Sequence, residues 1–370
     1  MKILEARTGT VAIGRPVRNA AIGFEAMTAS ALALVTDRGT GYAFDSIGRY
    51  GKEGLLRERF IPRLLNSPLQ QLVDEKGLID PDACVRAVMA NEKPGGHGER
   101  PGAVGLVEAA AWDLRAKLLG VPLWTALAER YGTRNASPAI EAYATCGHWG
   151  DDASLADEVR RALDAGYACI KIKLAGDPGT DVPRIETARR LTSRLAVDVN
   201  GALSSESAEM WLDATAPFGL EWIEEPAPPL DFELLRKCSQ LTRTPLATGE
   251  NLFAFDDARN LLRYGGLRPE RDFVQVDPLL SYGVGEYVRI LDLFAGWDRR
   301  QFLPHAGHLF AAHCVAGLGL GMAEAAPDAS LAYGGYWDGV RPTGGRLTIP
   351  DAPGVGFERK RQLFALLEDL

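Results

Sequence analysis

Residues 167–177, YACIKIKLAGD, alternate Ile170, Ile172 and Leu174 with Lys171 and Lys173. Side chains two apart share one face of a strand, so both ammonium groups point the same way and the isoleucines point the other. A half-solvated strand would account for such a pair in isolation. What lies downstream argues for an inward-facing one.

After Lys173, short apolar runs ending in a polar residue recur: LAVDVN, LEWIEEP, PLATGEN, FVQVDP and QFLPHAG. Lys173 to Asp198 is 25 residues, then 26 to Glu224, 26 to Glu250, 27 to Asp277 and 28 to His305. Between the runs lie amphipathic segments such as SLADEVRRALDAG, DVPRIETARRLTS, DDARNLLRYGG and EYVRILDLFAGW. One strand, one helix and two loops of near-constant length predict an α/β fold, a TIM-like (β/α) barrel with strands over these runs, whose reactive groups gather at the C-terminal strand ends. An open doubly wound sheet would not call for a charged residue at six successive strand ends.

The first third reads differently. MKILEARTGTVAIG and ASALALVTDRGTGYAF predict strands, the second a hairpin turning at Asp37, Arg38 and Gly39. The cluster NEKPGGHGERPG at 91–102 is expected to interrupt the helices there. The following AVGLVEAAAWDLRAKLLG has helical spacing and stops at Gly120 with Pro122 behind it. The expected division is an N-terminal α+β capping domain over 1–135, a barrel over 136–330 and a C-terminal segment over 331–370.

The 370 residues are 46% apolar with a formal net charge of −8 and no long run of like charge. This composition leaves no basic footprint for nucleic acid or for an anionic membrane surface, and favours a small-molecule partner. The five cysteines, Cys84, Cys146, Cys169, Cys238 and Cys314, are scattered without C-x-x-C pairing and read as reduced core thiols of a cytoplasmic protein. No signal-like or membrane-spanning stretch stands out.

Asp198, Glu224 and Glu250, brought together, would repel unless a cation sat among them. An oxygen-only donor set suits a hard ion, and three carboxylates with room for water and substrate suit octahedral Mg²⁺. Lys171, Lys173 and a nearby dication would disfavour one another's charge, so Lys173 is expected to have a lowered pKa and act as a base, with Lys171 as its electrostatic companion. Asp277 would orient His305 as a second acid/base group. His308 and His313 read as packed residues. A dication flanked by a lysine and a histidine suits removal of an α-proton from a carboxylate substrate.

These residues are recognisable. IKIK, VDVN, EEP, GEN and the Asp277/His305 pair resemble the mandelate racemase branch of the enolase superfamily, from the N-terminal strands to the C-terminus. The resemblance implies a (β/α)7β barrel under an N-terminal cap, with the C-terminal segment returning to that cap, and a homo-oligomer. Muconate-lactonizing relatives use a second lysine across the barrel, and VQVDPLLSYG here has none. NEKPGGHGER, TGENLF, DARNLLRYGG, GLGLG, PVRNA and IGRYG are similar to the D-tartrate dehydratase family. That likeness implies Lys173 as the base, His305 as the acid that protonates the departing β-hydroxyl, and Mg²⁺ on Asp198, Glu224 and Glu250 with Asn200 beside it. It also implies Asn19, Lys93 and Glu324 as pocket residues and an α-keto acid as product. Two substrate-facing positions depart from that pattern: Ile47 stands where an amide is expected and His148 where a tyrosine is expected, which points to a less polar or longer hydroxy acid than tartrate. The same residues also fit a racemase or epimerase, or a metal-binding relative without turnover.

Overall fold

The computed structural model describes residues 1–12, 17–18, 23–24, 28–45, 51–95, 99–148, 152–306, 308–329 and 331–370. Asn19 and Ile47 therefore lie outside the described residues.

The chain opens with an antiparallel sheet in the order β1 (Ile3–Ala12), β4 (Thr28–Thr36), β5 (Gly39–Phe44), with a two-residue pair, β2 (Val17–Arg18) and β3 (Gly23–Phe24), between the first two. Thr36 pairs with Gly39, so Asp37 and Arg38 make the turn. The short helices α1 (Glu53–Leu55) and α2 (Ile61–Asn66) lead to α3 (Pro81–Val88) and then to α4 (Arg100–Leu119). Helix α4 is buried on nearly every side, as a helix sandwiched between two layers must be. A Cβ on Gly41 of the sheet would strike the Ala110 carbonyl of α4, and one on Gly105 of α4 would strike the Leu279 carbonyl of the next layer. These two glycines let the three layers close on each other. The helix begins at Arg100, so Pro101 and Gly102 lie inside it, contrary to the expectation that 91–102 would stay out of helix. Proline is tolerated there because the first turn has no intrahelical acceptor for its missing N–H. At the other end Gly120 adopts a left-handed φ of 71° and stops the helix as expected.

Beyond α5 (Leu123–Tyr131) strands and helices alternate: β6 (Ala139–Cys146), α6 (Asp152–Asp164), β7 (Cys169–Lys173), α7 (Pro178–Arg189), β8 (Leu195–Asp198), α8 (Ala208–Thr215), β9 (Ile223–Glu224), α9 (Phe232–Leu241), β10 (Leu246–Thr248), α10 (Phe255–Tyr264), β11 (Phe273–Val274), α11 (Val284–Leu293), α12 (Leu309–Leu318) and β12 (Met322–Ala325). Neighbours from β6 to β11 pair in parallel, and β12 pairs in parallel with β6. The result is a curled parallel sheet. QFLPHAG, expected as a strand, contributes only a parallel bridge of Phe302 to Val274. The Leu303 N–H donates to Val274 O, and the Gly321 N–H just before β12 donates to Phe302 O, both at 3.0 Å. This thin seam joins the two ends of the sheet.

Inside the curl the inward faces stack in layers. Tyr143, Cys169, Ala196, Trp222, Ala247, Leu303 and Met322 form an apolar floor, with the Tyr143 and Trp222 rings edge to face at 5.1 Å. One step along each strand, the inward positions turn polar.

The C-terminal residues touch both layers. Strand β13 (Arg346–Thr348) pairs antiparallel with β6. The Val355 N–H donates to Asp113 of α4 at 2.7 Å, and Phe364 of α13 (Arg361–Glu368) packs edge-on against Tyr42 of β5. All five cysteines are buried thiols. Among the described residues no helix is long and apolar enough to cross a membrane.

Candidate metal and proton-transfer site

The polar layer above the floor holds the three predicted carboxylates. Asp198 ends β8, Glu224 ends β9 and Glu250 lies two residues past β10. Each offers an oxygen, and these oxygens lie within 4.8 Å of one another. Asp198 and Glu224 are fully buried and Glu250 nearly so. Burial, relieved only in part by Lys171, pushes the Glu224 carboxyl up to about 8. Three buried carboxylates at this spacing fit a small divalent cation with all-oxygen coordination.

Lys171 and Lys173 do face inward. Lys171, 1% exposed, is hydrogen-bonded to Glu224, lies 3.0 Å from Glu324 Oε1 and 3.7 Å from Asp198 Oδ2, and sits over the Tyr143 ring at 5.5 Å. Lys173 is hydrogen-bonded to Asp198. Among the protein's own groups, without a cation, the balance runs toward the ammonium: burial lowers the Lys173 pKa, but Asp198, Glu250 and Glu224 outweigh both burial and Lys171 and leave it raised. Lys171 is raised further, burial being overcome chiefly by Glu224 and Glu324. The expected lowering concerns the site with a dication bound, whose charge would offset these same carboxylates.

On the far side of the carboxylates, His305 Nε2 stands 3.5 Å from Glu250 Oε2, and its Nδ1 lies 3.3 Å from Asp277 Oδ2. Burial opposes the imidazolium, but Glu250, Asp277 and Glu324 raise His305 to about 9. Asp277 is anchored by the Leu279 and Leu280 N–H groups at 2.8 and 3.1 Å. Despite burial, His305 and His308 hold its carboxyl far below the usual range. Lys173 and His305 thus flank the carboxylate cluster from opposite ends.

Of the predicted pocket residues, Glu324 joins the cluster. It ends in the same polar layer from β12, bonded to Thr145 and Lys171, and accepts the Ala306 N–H at 3.0 Å. Asn200 adjoins Asp198, its backbone N–H donating to Asp198 Oδ1 at 2.8 Å with φ of 45°. His148 is half-buried just past β6. Lys93 is exposed on the stretch before α4, and among the described residues no hydrogen bond or ion pair ties it to the cluster.

Sequence reasoning missed several neighbours. Trp222 Nε1 and Gln275 Nε2 both donate to Glu224 Oε2, at 3.1 and 2.7 Å. Each lies two residues before a predicted site residue, so the same period-two rule would have pointed them inward. The buried Glu225, at φ of 41°, accepts from Asn251 Nδ2 at 2.8 Å beside Glu250. His308 caps α12 by accepting the Ala311 N–H at 3.0 Å and also brings Nε2 within 3.8 Å of Asp277 Oδ1.

Comparison with known proteins extends this picture. A family model described as enolase C-terminal domain-like matches residues 154–363. The o-succinylbenzoate synthase of Geobacillus stearothermophilus is 32% identical over 268 residues, 69% of this chain and 67% of that protein. The L-talarate/galactarate dehydratase of Salmonella typhimurium LT2 is 30% identical over 241 residues, 62% of this chain and 57% of that protein. Its structure liganded with Mg and L-lyxarohydroxamate superposes with a TM-score of 0.77 at 24% identity, covering 97% of this chain and 91% of that one. A racemase from Streptomyces coelicolor A3(2) with bound magnesium gives a TM-score of 0.77 at 24% identity over 98% and 99% of the two chains. At such identities the superpositions speak for the fold, and the family match together with the synthase likeness shows that the chain belongs to the enolase superfamily.

Proposed function

We propose that the protein is a Mg²⁺-dependent carbon–oxygen lyase, a dehydratase of a hydroxy diacid or acid sugar of tartrate-like kind. The observation that carries this reading is the placement of Lys173 and His305 at opposite ends of the Asp198, Glu224 and Glu250 cluster. In this reading residues 136–330 are the (β/α)7β catalytic barrel, 1–135 the cap and 331–370 the segment that returns to it. A homo-oligomer acting on a small carboxylate remains the expected form.

Mg²⁺ held by the three carboxylates would supply a Lewis acid for the substrate carboxylate and offset the charge that builds there as the α-proton leaves. Lys173 Nζ takes that proton in its neutral form, which a cation on Asp198, Glu224 and Glu250 would favour by offsetting the carboxylate charge that otherwise holds the ammonium. His305, its Nδ1–H directed at Asp277, gives a proton from Nε2 to the β-hydroxyl, which departs as water. The two transfers convert a 2,3-dihydroxy acid into an enol that tautomerises to an α-keto acid. Glu324, held by Thr145, Lys171 and the Ala306 N–H, lines the substrate pocket in this reading. Ile47 and His148, in place of the amide and tyrosine of the tartrate pattern, direct the reading toward a longer or less polar acid than tartrate.

A racemase or epimerase is the second reading, since a base and an acid on opposite sides of one carbon can also exchange its proton. A synthase or cycloisomerase built on a second lysine is disfavoured by the lysine-free stretch at 274–283 and by the His305–Asp277 pair in that quarter of the sheet. Purified protein incubated with Mg²⁺ and individual acid sugars, including the three tartrates, tests the proposal through semicarbazone absorbance. A keto acid from at least one compound, lost in chelator, is expected. An inverted stereocentre without keto acid would favour the racemase.

A further inference from the structure

Gln275 and Trp222 take no part in the proton transfers, yet both are fully buried beside the carboxylate cluster. Gln275 reaches from just past β11, across the interior, to Glu224 on β9, while Trp222 points its indole N–H up its own strand to the same atom. Glu224 Oε2 therefore receives two hydrogen bonds, and Oε1 is the oxygen that meets Lys171. A carboxylate oxygen has two lone-pair directions, so two donors fill Oε2 and leave Oε1 as the one available for further bonding.

We propose that Gln275 and Trp222 are positioning residues that hold Glu224 as a one-oxygen ligand and thereby bias the site toward Mg²⁺ and against Ca²⁺. Mg²⁺ demands near-octahedral geometry with one oxygen from each carboxylate, whereas the larger Ca²⁺ readily takes both oxygens of one carboxylate. A Glu224 freed to turn would offer both. The inference rests on the Mg²⁺ reading of the three carboxylates and not on the choice of dehydration, because its test needs no substrate.

The test is calorimetric titration of chelator-stripped wild type, Gln275→Met and Trp222→Phe with MgCl₂ and, separately, CaCl₂. Melting temperatures in chelator confirm that each variant is folded. Both substitutions keep most of the buried volume and remove one donor. Loss of such a supporting hydrogen bond is expected to weaken Mg²⁺ binding by about 10- to 100-fold. Ca²⁺ binding should weaken much less, so that the preference for Mg²⁺ falls. Equal weakening for both ions would mark a merely structural role and overturn the proposal, as would unchanged Mg²⁺ affinity. Should Gln275→Met fail to fold, Trp222→Phe, which keeps the aromatic floor, carries the same outcomes. A wild type that binds no Mg²⁺ would overturn both this inference and the metal reading beneath it.

Discussion

Replacing Lys171 by methionine removes one positive charge while keeping a stem of similar length, so the change is electrostatic more than volumetric. Lys171 is 1% exposed and answers Glu224, Glu324 and, at 3.7 Å, Asp198. Taking one partner from a buried ion pair costs about 3–5 kcal/mol, because the remaining charge is left buried and uncompensated. Here two or three carboxylates lose their common counter-charge, which places the expectation at the upper end. At about 2 °C per kcal/mol for a large chain, the melting temperature in chelator should fall by about 6–10 °C. Mg²⁺ should then stabilise the variant more than the wild type, since a cation among the same oxygens no longer competes with the ammonium, and saturation at about 100 times Kd contributes about 2.7 kcal/mol. The assay is thermal unfolding of both proteins at a fixed scan rate, in chelator and across a Mg²⁺ series. A drop of less than 2 °C, or equal Mg²⁺ gains in the two proteins, would refute the view that Lys171 is the resident counter-ion of this cluster.

Three further outcomes are expected. Lys173→Ala should abolish exchange of the substrate α-proton with deuterated solvent while Mg²⁺ still binds in calorimetry; surviving exchange would put the base elsewhere. His305→Asn should retain exchange and lose keto-acid formation, and an unaltered dehydration rate would remove His305 from its role. His313 bears on stability: burial lowers its pKa from 6.5 to about 4, and both ring nitrogens are satisfied in the neutral form, Nδ1 by the Trp124 N–H and Nε2–H by Val355 O, each at 3.1 Å. Its stabilisation is therefore complete above about pH 6.5 and is lost as pH falls toward 4, amounting to about 2 kcal/mol by pH 5. Urea unfolding of wild type and His313→Gln at pH 7 and 5 should show that difference in slope, and parallel slopes would contradict it.

The near-constant spacing was legible because every unit of a curled parallel sheet returns a strand end to the same rim, so Asp198, Glu224, Glu250, Asp277 and His305 carry the period openly. Strand lengths were not. Strands β9 and β11 keep only two residues each in the ladder and the 302–303 segment a single bridge, because strong curling breaks pairing before the apolar pattern ends. Gln275 and Trp222 escaped notice because an amide and an indole in an apolar run look like ordinary core, and only their shared acceptor marks them out. The hydrogen bond of Lys173 to Asp198 was not legible either, because distance along a strand is visible in a sequence whereas cross-strand approach is not. Pro101 misled in a similar way, since its meaning depends on whether it falls in the first turn of a helix or in its middle.

The central claim is α-proton chemistry at a carboxylate bound between Lys173 and His305. It is tested most directly by proton NMR in deuterated water with Mg²⁺, following each acid sugar of a library for loss of its α-proton signal. The account predicts that at least one compound loses that signal and yields an α-keto acid, and that Lys173→Ala stops both. Retention of every α-proton by Mg²⁺-loaded protein, or loss of the signal that persists in Lys173→Ala, would contradict it.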